Sequence, residues 1–160
     1  MSEQRSDQKE IVSQALRAAL ANRDELHHAL IGLEQAVAAA GPARAPEWAR
    51  DVAVQLAAVE ATFGRHIHVT EADNGLYPEI MSVAPRLQYA VDRLRDDHRT
   101  IGAELAQLAA SVQKGPTGDV TKWIDDQREQ CVAVLGRLTR HRQRGADLTY
   151  EAYADVGGDG

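Results

Sequence analysis

Apolar residues recur at alternating steps of three and four along four long segments of the chain, and the third segment shows this pattern most clearly. Charged residues, including Arg86, Asp92 and Glu104, occupy the positions between them. The spacing predicts an amphipathic helix whose apolar face carries one histidine, so His98 is expected to face the core. The positions on that face are Leu87, Val91, Leu94, His98, Ile101, Leu105, Leu108 and Val112.

The first segment predicts a helix that begins after Ser6 or Asp7 and ends at about Ala40. Asp7 and Glu10 have the spacing of a capping box, and Gly41 with the following proline ends the pattern. His27 lies at the edge of the apolar face, whereas His28 lies about 100° further round the helix, toward solvent. The sequence therefore predicts that His27 points inward and His28 outward. The apolar face comprises Val12, Leu16, Ala19, Leu26, Leu30, Leu33 and Val37.

The second and fourth segments each place a further histidine on an apolar face. The second helix is expected to open at Pro46, and the fourth near Thr117 or Asp119. His68 points away from the apolar face of a regular second helix, but the register there is uncertain, so His68 remains an alternative to His66. The faces are Val52, Leu56, Val59, Phe63, His66 and Thr70 in one helix, and Val120, Ile124, Gln127, Cys131, Val134, Leu138, His141, Gly145 and Leu148 in the other.

Proline and glycine clusters at residues 41–46, 75–85 and 114–118 separate the four segments. Alternating β-branched runs are absent from the sequence, and good helix formers dominate every segment. The predicted fold class is all-α, an antiparallel up-down-up-down four-helix bundle. We expect residues 1–160 to form a single domain, with the bundle at about 8–150 and a mobile C-terminal tail at about 154–160.

The composition of the chain indicates which partners and which cellular location to expect. The net charge is −6, and no stretch combines basic residues with aromatic ones, so nucleic acid is not an expected partner. No run approaches the roughly 18 apolar residues of a membrane span, and the start lacks the apolar region of a signal peptide, so we expect a cytoplasmic protein without membrane contact. Cys131 is the single cysteine, and its place on an apolar face predicts a buried, inert thiol.

The candidate functional residues are four histidines, one on the apolar face of each helix. A lone core histidine is more often a structural hydrogen-bonding group, but four unpartnered imidazoles would together cost several kcal/mol. At about 1.5 Å of rise per residue, all four fall within roughly 12 Å of depth in the half of the bundle nearer the termini. Imidazole with carboxylates binds zinc, iron, copper or nickel. The four histidines are His27, His66, His98 and His141.

Four short motifs resemble those of the hemerythrin-like, or HHE cation-binding, domain, over about residues 10 to 150. They are DELHHAL in the first helix, a second-helix histidine ahead of an acidic turn and LYP, DDHRTI in the third, and HRQRGADL in the fourth. The resemblance implies a hemerythrin-like four-helix bundle with a carboxylate-bridged, non-haem di-iron centre. It also implies oxygen binding, iron or oxygen sensing, or reactions with peroxide or nitric oxide.

The chain departs from the ligand spacing of the oxygen-carrying members of that family. Where their HxxxE, HxxxH and HxxxxD patterns place the second ligand, this chain has Thr70, Gly102 and Ala146. Glu71 and Asp147 each follow one residue later, so a local helix bulge would be needed to bring either carboxylate to the metal. The predicted metal ligands are His27, His66, Glu71, His98, His141 and Asp147.

Three functions are compatible with these residues. The first is a metal-binding protein, with iron expected and zinc or another divalent metal as alternatives, which binds or senses oxygen, iron or redox state. The second is a non-haem iron enzyme that acts on peroxide or nitric oxide, which requires an open coordination position. The third is a metal-free helical interaction module whose histidines bond to one another, to acids and to water.

Overall fold

The computed structural model describes residues 2–39 and 41–154, and the side chains of this part from residue 14 onward except that of Pro42. Within these residues the chain is helical and has no β-strand. The helices are α1 (Ser2–Ala38), α2 (Ala45–Glu71), α3 (Leu76–Val83), α4 (Gln88–Lys114) and α5 (Val120–Ala154), and single 3₁₀ turns precede α2 and α4 at Pro42–Arg44 and Pro85–Leu87.

The four long helices, α1, α2, α4 and α5, pack into a bundle because each buries one apolar face. Around the bundle, α1 packs on α2, α2 on α4, α4 on α5, and α5 on α1. The buried residues form two apolar clusters: a larger one between the four long helices, which includes Phe63, Ile101 and Leu138, and a smaller one around α3, which includes Leu94 and Leu148. His98 follows Leu94 by one helical turn and precedes Ile101, so it lies between the two clusters.

The segment at residues 75–85, expected as a break, contains the short helix α3. Leu76, Tyr77 and Ile80 are buried there at helical spacing, and Pro78 is tolerated because it lies in the first turn, where no intrahelical N–H is needed. Gly75 makes the turn from α2 possible, since a Cβ at this position would lie 2.8 Å from the carbonyl oxygens of Thr70 and Ala72. This turn brings Tyr77 against the bundle.

The helix ends differ modestly from the expected ones. The helix α1 begins at Ser2, so Asp7 and Glu10 lie inside it and do not cap its start. It ends at Ala38, the second long helix begins at Ala45, and the last begins at Val120. Ala154 is the last residue of α5, while the expected tail from 155 to 160 and the side chain of Val12 lie outside the described residues.

Cys131 is a free, buried cysteine, as predicted. Burial raises the pKa of its thiol to about 11, which keeps it protonated and unreactive.

Among the described helices, none has a stretch of sufficient length and apolar character to cross a membrane.

Candidate metal centre

Three histidines from three different helices meet inside the bundle: His66 of α2, His98 of α4 and His141 of α5. The Nε2 atom of His141 lies 3.1 Å from Nε2 of His66 and 3.1 Å from Nε2 of His98. One ligand atom from each ring can be chosen so that all three lie within 4.8 Å of one another. Only 2% of His98 and 1% of His141 is exposed, so bulk water does not solvate these two rings. Together the three could hold a metal ion.

Helix periodicity explains this convergence, because each histidine occupies a position on an apolar face. Phe63, one turn before His66 on α2, forms an apolar base for the group. Its ring centroid lies 5.7 Å from those of His66 and His98 and 6.1 Å from that of His141. The imidazoles therefore pack tightly against apolar surface on one side and turn their Nε2 atoms toward one another.

The outward-facing nitrogens of two of these rings lie against carboxylates. Nδ1 of His141 is 3.2 Å from Oδ2 of Asp97, and Nδ1 of His98 is 3.3 Å from Oε2 of Glu71. The second contact has the distance of an ion pair but not the alignment of a hydrogen bond. An ionised carboxylate can only accept, so both contacts favour the tautomer in which Nδ1 carries the proton.

Asn22 of α1 favours the same tautomer in the third ring, that of His66. The Asn22 amide nitrogen donates to the backbone carbonyl of Thr62 at 3.2 Å, which fixes the amide so that its oxygen faces His66. That oxygen lies 3.2 Å from Nδ1 of His66. The proton of His66 therefore belongs on Nδ1, as in the other two rings, and this tautomer is inferred from the contacts.

With all three protons on Nδ1, three Nε2 lone pairs point into one small volume. Lone pairs in such close contact repel one another unless a proton or a cation lies between them. Three nitrogens bound at about 2.0–2.1 Å to a tetrahedral ion would be separated by about 3.3 Å. The two separations of 3.1 Å are close to that value, while the three ligand atoms as a group lie within 4.8 Å of one another. The donor set therefore fits one metal ion once the remaining pair of nitrogens draws closer together.

Electrostatics keeps these rings in the form that binds metals. Burial, and then the neighbouring His141, lowers the pKa of His66 from 6.5 to about 3. Burial and the two neighbouring histidines, followed by Arg95, lower the pKa of His98 to about 2. Burial also lowers the pKa of His141, although Asp97 opposes the shift. The rings are therefore neutral at pH 7, as ligation requires.

Tyr77 of α3 adds a polar group to the same volume. Its hydroxyl oxygen lies 3.4 Å from Nε2 of His98, and its ring stacks on the imidazole with centroids 5.7 Å apart and an interplanar angle of 13°. Burial is the main cause that raises the pKa of Tyr77 far above its ordinary value, so the phenol stays protonated in the metal-free site. Tyr77 can therefore donate a hydrogen bond toward the point where the Nε2 atoms meet.

A cavity of about 50 Å³ lies beside the histidines and is walled by α1, α2, α3 and α5. His66, His141 and Tyr77 contribute to its wall together with Thr70. Most of the remaining wall is apolar, and two arginines, Arg23 of α1 and Arg142 of α5, also line it. A small molecule in this cavity would contact the histidine cluster directly.

The structure brings together His66, His98 and His141, with Glu71 beside them, but not the other two predicted ligands. The inward placement of His27 is wrong, because this residue is exposed; His28 is exposed, as predicted. On α1 it is Asn22, one turn before the fully buried Leu26, that shares the core-facing side. His68 is exposed, which favours His66 of the two second-helix alternatives.

Asp147 also lies away from the centre. It is exposed, and its carboxylate accepts a hydrogen bond from Gln143 at 3.0 Å. The helix α5 continues without interruption through residues 145–147, so no bulge turns Asp147 toward His141, six residues earlier. The carboxylate that contacts His141 comes from Asp97 of α4.

Sequence reasoning missed three residues of the site: Asn22, Asp97 and Tyr77. Asn22 could have been found as a polar residue four positions before Leu26 on the apolar face of α1. Asp97 directly precedes His98, but spacing along one helix does not indicate its contact with His141 on a neighbouring helix. Tyr77 belongs to the LYP motif, but no spacing rule connects a residue in an expected loop to the interior of a bundle.

Comparison of the chain with protein-family models, with curated proteins and with solved structures finds no match. The candidate centre therefore rests on its own geometry. Its parts are three imidazoles with converging Nε2 atoms, an outer oxygen beside each Nδ1, and a small cavity against two of the rings.

Proposed function

We propose that this chain is a hemerythrin-like protein that binds one metal ion through the Nε2 atoms of His66, His98 and His141. The observation that carries the proposal is the convergence of these three atoms while each Nδ1 faces an oxygen of Asn22, Glu71 or Asp97. A metal ion relieves the repulsion between the lone pairs. Oxygen atoms beside the opposite nitrogens orient the rings, as is usual around metal-bound imidazoles.

A single ion is favoured over a di-iron pair by the position of the carboxylates. In a carboxylate-bridged pair, carboxylate oxygens bind the metals, whereas here Glu71 and Asp97 face the Nδ1 atoms of two ligand rings. An all-imidazole set suits iron, zinc, copper or nickel. We propose iron on the strength of the sequence resemblance, with zinc as the alternative.

The resemblance also suggests how the four helices are arranged and where in the cell the protein is located. Short connections at residues 39–44 and 115–119 join helices that pack on each other, which favours the antiparallel up-down-up-down arrangement. We propose this hemerythrin-like arrangement together with a cytoplasmic location.

Three protein ligands leave a coordination position open on the metal. The cavity reaches two of the ligand rings, so a small molecule can occupy that position. When bound, the metal would supply Lewis acidity or redox chemistry there. The phenol of Tyr77, close to Nε2 of His98, can donate a hydrogen bond to the occupant. Binding or sensing of a small ligand is the function that this arrangement supports best.

A second candidate function is the reduction or breakdown of peroxide or nitric oxide at the same centre. The cavity beside His66 and His141 favours it, because an enzyme needs room for substrate next to an open coordination position. Dioxygen, peroxide and nitric oxide are the small molecules that the resemblance suggests.

Thermal unfolding of chelator-stripped protein tests the proposal. Ligand present at about a thousandfold excess over Kd stabilises a protein by about 4 kcal/mol, so iron(II) without oxygen, or zinc, should raise the melting temperature by several degrees. His98→Ala should abolish the shift. His27→Ala, at an exposed position, should retain it. Identical melting of stripped and reconstituted wild-type protein would instead support the metal-free interaction module.

A further inference from the structure

Arg23 of α1 and Arg142 of α5 line the cavity that also exposes His66 and His141. Neither guanidinium forms a hydrogen bond or an ion pair within the described part of the chain, and Nε of Arg142 is buried without a partner. A buried donor that is left unpaired is unfavourable. Neither arginine has a carboxylate partner within the described residues, so both guanidiniums are available to an acceptor.

Each arginine is adjacent in the sequence to a residue of the candidate metal centre. Arg23 directly follows Asn22, which contacts His66, and Arg142 directly follows His141. Both arginines carry a positive charge and line the same cavity. Their charges therefore repel each other. An anion between them would offset this repulsion and accept hydrogen bonds from their guanidinium groups.

The rest of the wall limits the size and character of that anion. Apolar side chains, among them Leu16, Leu26 and Leu76, form most of it. A volume of about 50 Å³ admits a group of a few non-hydrogen atoms, since a single water needs at least about 10–15 Å³. Planar carboxylates and similar oxyanions match the fork of a guanidinium, and those with three or four non-hydrogen atoms have the right size.

We propose that this cavity is a binding subsite for a small oxyanion of the carboxylate type, such as formate, nitrite or bicarbonate. Arg23 and Arg142 hold the anion, and one of its oxygens takes the open position on the metal that His66, His98 and His141 bind. The inference rests on the proposed metal centre and names its ligand class. An uncharged diatomic ligand would leave both guanidiniums unsatisfied.

The test uses cobalt(II) as the metal and formate as the probe. Stripped protein is first titrated with cobalt(II), which reports the stoichiometry through its visible absorption bands. The cobalt-loaded protein is then titrated with formate at constant ionic strength, and changes in the same bands give the Kd. The variants are Arg23→Gln and Arg142→Gln, with Arg140→Gln as the matched control, because Arg140 is an exposed arginine of α5.

We expect every variant to bind one cobalt ion, with the formate Kd raised at least tenfold by Arg23→Gln and by Arg142→Gln and unchanged by Arg140→Gln. Arg142→Lys should give an intermediate Kd, because it keeps the charge but loses the fork. If cobalt binds normally while formate fails to bind the wild type, or binds all variants equally, the subsite is refuted and the metal centre stands. If the wild type binds no cobalt, both proposals fail.

Discussion

His98 and His141 approach each other with their Nε2 atoms 3.1 Å apart, while Nδ1 of each ring lies within 3.3 Å of a carboxylate oxygen. With the protons on Nδ1, neither Nε2 has a proton to give to the other. An additional proton or a metal ion between them would relieve the repulsion of their lone pairs. Protons and metal ions therefore compete for this site.

The first prediction concerns the pH dependence of the metal-free protein. His66 and His98 have a folded-state pKa of about 3 and about 2, against an ordinary 6.5. Between these values the unfolded chain binds more protons than the folded one, so stability is complete above about pH 6.5 and falls as the pH drops below it. Each histidine contributes up to about 1.4 kcal/mol per pH unit in that window.

Urea unfolding of stripped protein at pH 5.5 and pH 7.5 measures this dependence. The wild type should be less stable at pH 5.5, and His98→Leu should show a smaller difference between the two pH values, whereas His28→Gln, at an exposed position, should match the wild type. Equal stability of the wild type at both pH values would show that the rings are not buried neutral bases.

The second prediction concerns the tautomer of His141. Asp97→Asn replaces an acceptor beside Nδ1 with an amide that can donate, which allows the proton to move to Nε2 and block ligation. Metal affinity should fall about 10–100-fold. Asp96→Asn is the matched control, because the neighbouring Asp96 is exposed and pairs with Arg99. Competition with a chromophoric chelator gives both affinities, and an equal loss in the two variants would contradict the assigned role of Asp97.

Asn22 should act on His66 in the same way. Asn22→Leu keeps a side chain of similar size but removes the oxygen that faces Nδ1, so we expect metal affinity to fall about 10–100-fold. Asn22→Asp retains an acceptor and should bind metal more tightly than Asn22→Leu. If Asn22→Asp and Asn22→Leu lose the same affinity, Asn22 contributes through packing and not through its oxygen.

The variant Tyr77→Phe distinguishes two possible roles of the Tyr77 phenol, as a hydrogen-bond donor or as a metal ligand. If Tyr77 donates to the group at the open position, the variant keeps its metal stoichiometry, and the pKa of the metal-bound water rises because a hydrogen bond to hydroxide is lost. A pH titration of the absorption of the cobalt-loaded protein measures that pKa. Loss of the metal from Tyr77→Phe would instead identify the phenol as a ligand.

The sequence predicts the long helices and the inward placement of three histidines well, because both follow from the helical spacing of the apolar residues. His66, His98 and His141 lie on the apolar faces of α2, α4 and α5, and only the end of α2 leaves a second histidine, His68, as an alternative. On α1, His27 lies only at the edge of the apolar face, whereas Asn22 lies one turn before the fully buried Leu26 and shares its side of the helix.

The carboxylates were harder to predict, because their contacts are between helices. Asp97 of α4 reaches His141 of α5, and Glu71 of α2 reaches His98 of α4. Spacing along one helix describes only neighbours on that helix, so it pointed to Asp147, which lies on another side of α5 from His141. Tyr77 depended on the fold of α3, whose eight residues lie in a segment that resembles a loop in composition.

Elemental analysis of protein purified without chelator and dialysed after reconstitution with iron or zinc tests the central claim most directly. We predict one ion per chain in the wild type and in His27→Ala, and less than about a tenth of an ion in His98→Ala, because a buried site that loses one of three protein ligands cannot complete its coordination. Two ions per chain, or equal metal content in His27→Ala and His98→Ala, would contradict a single centre built on His66, His98 and His141.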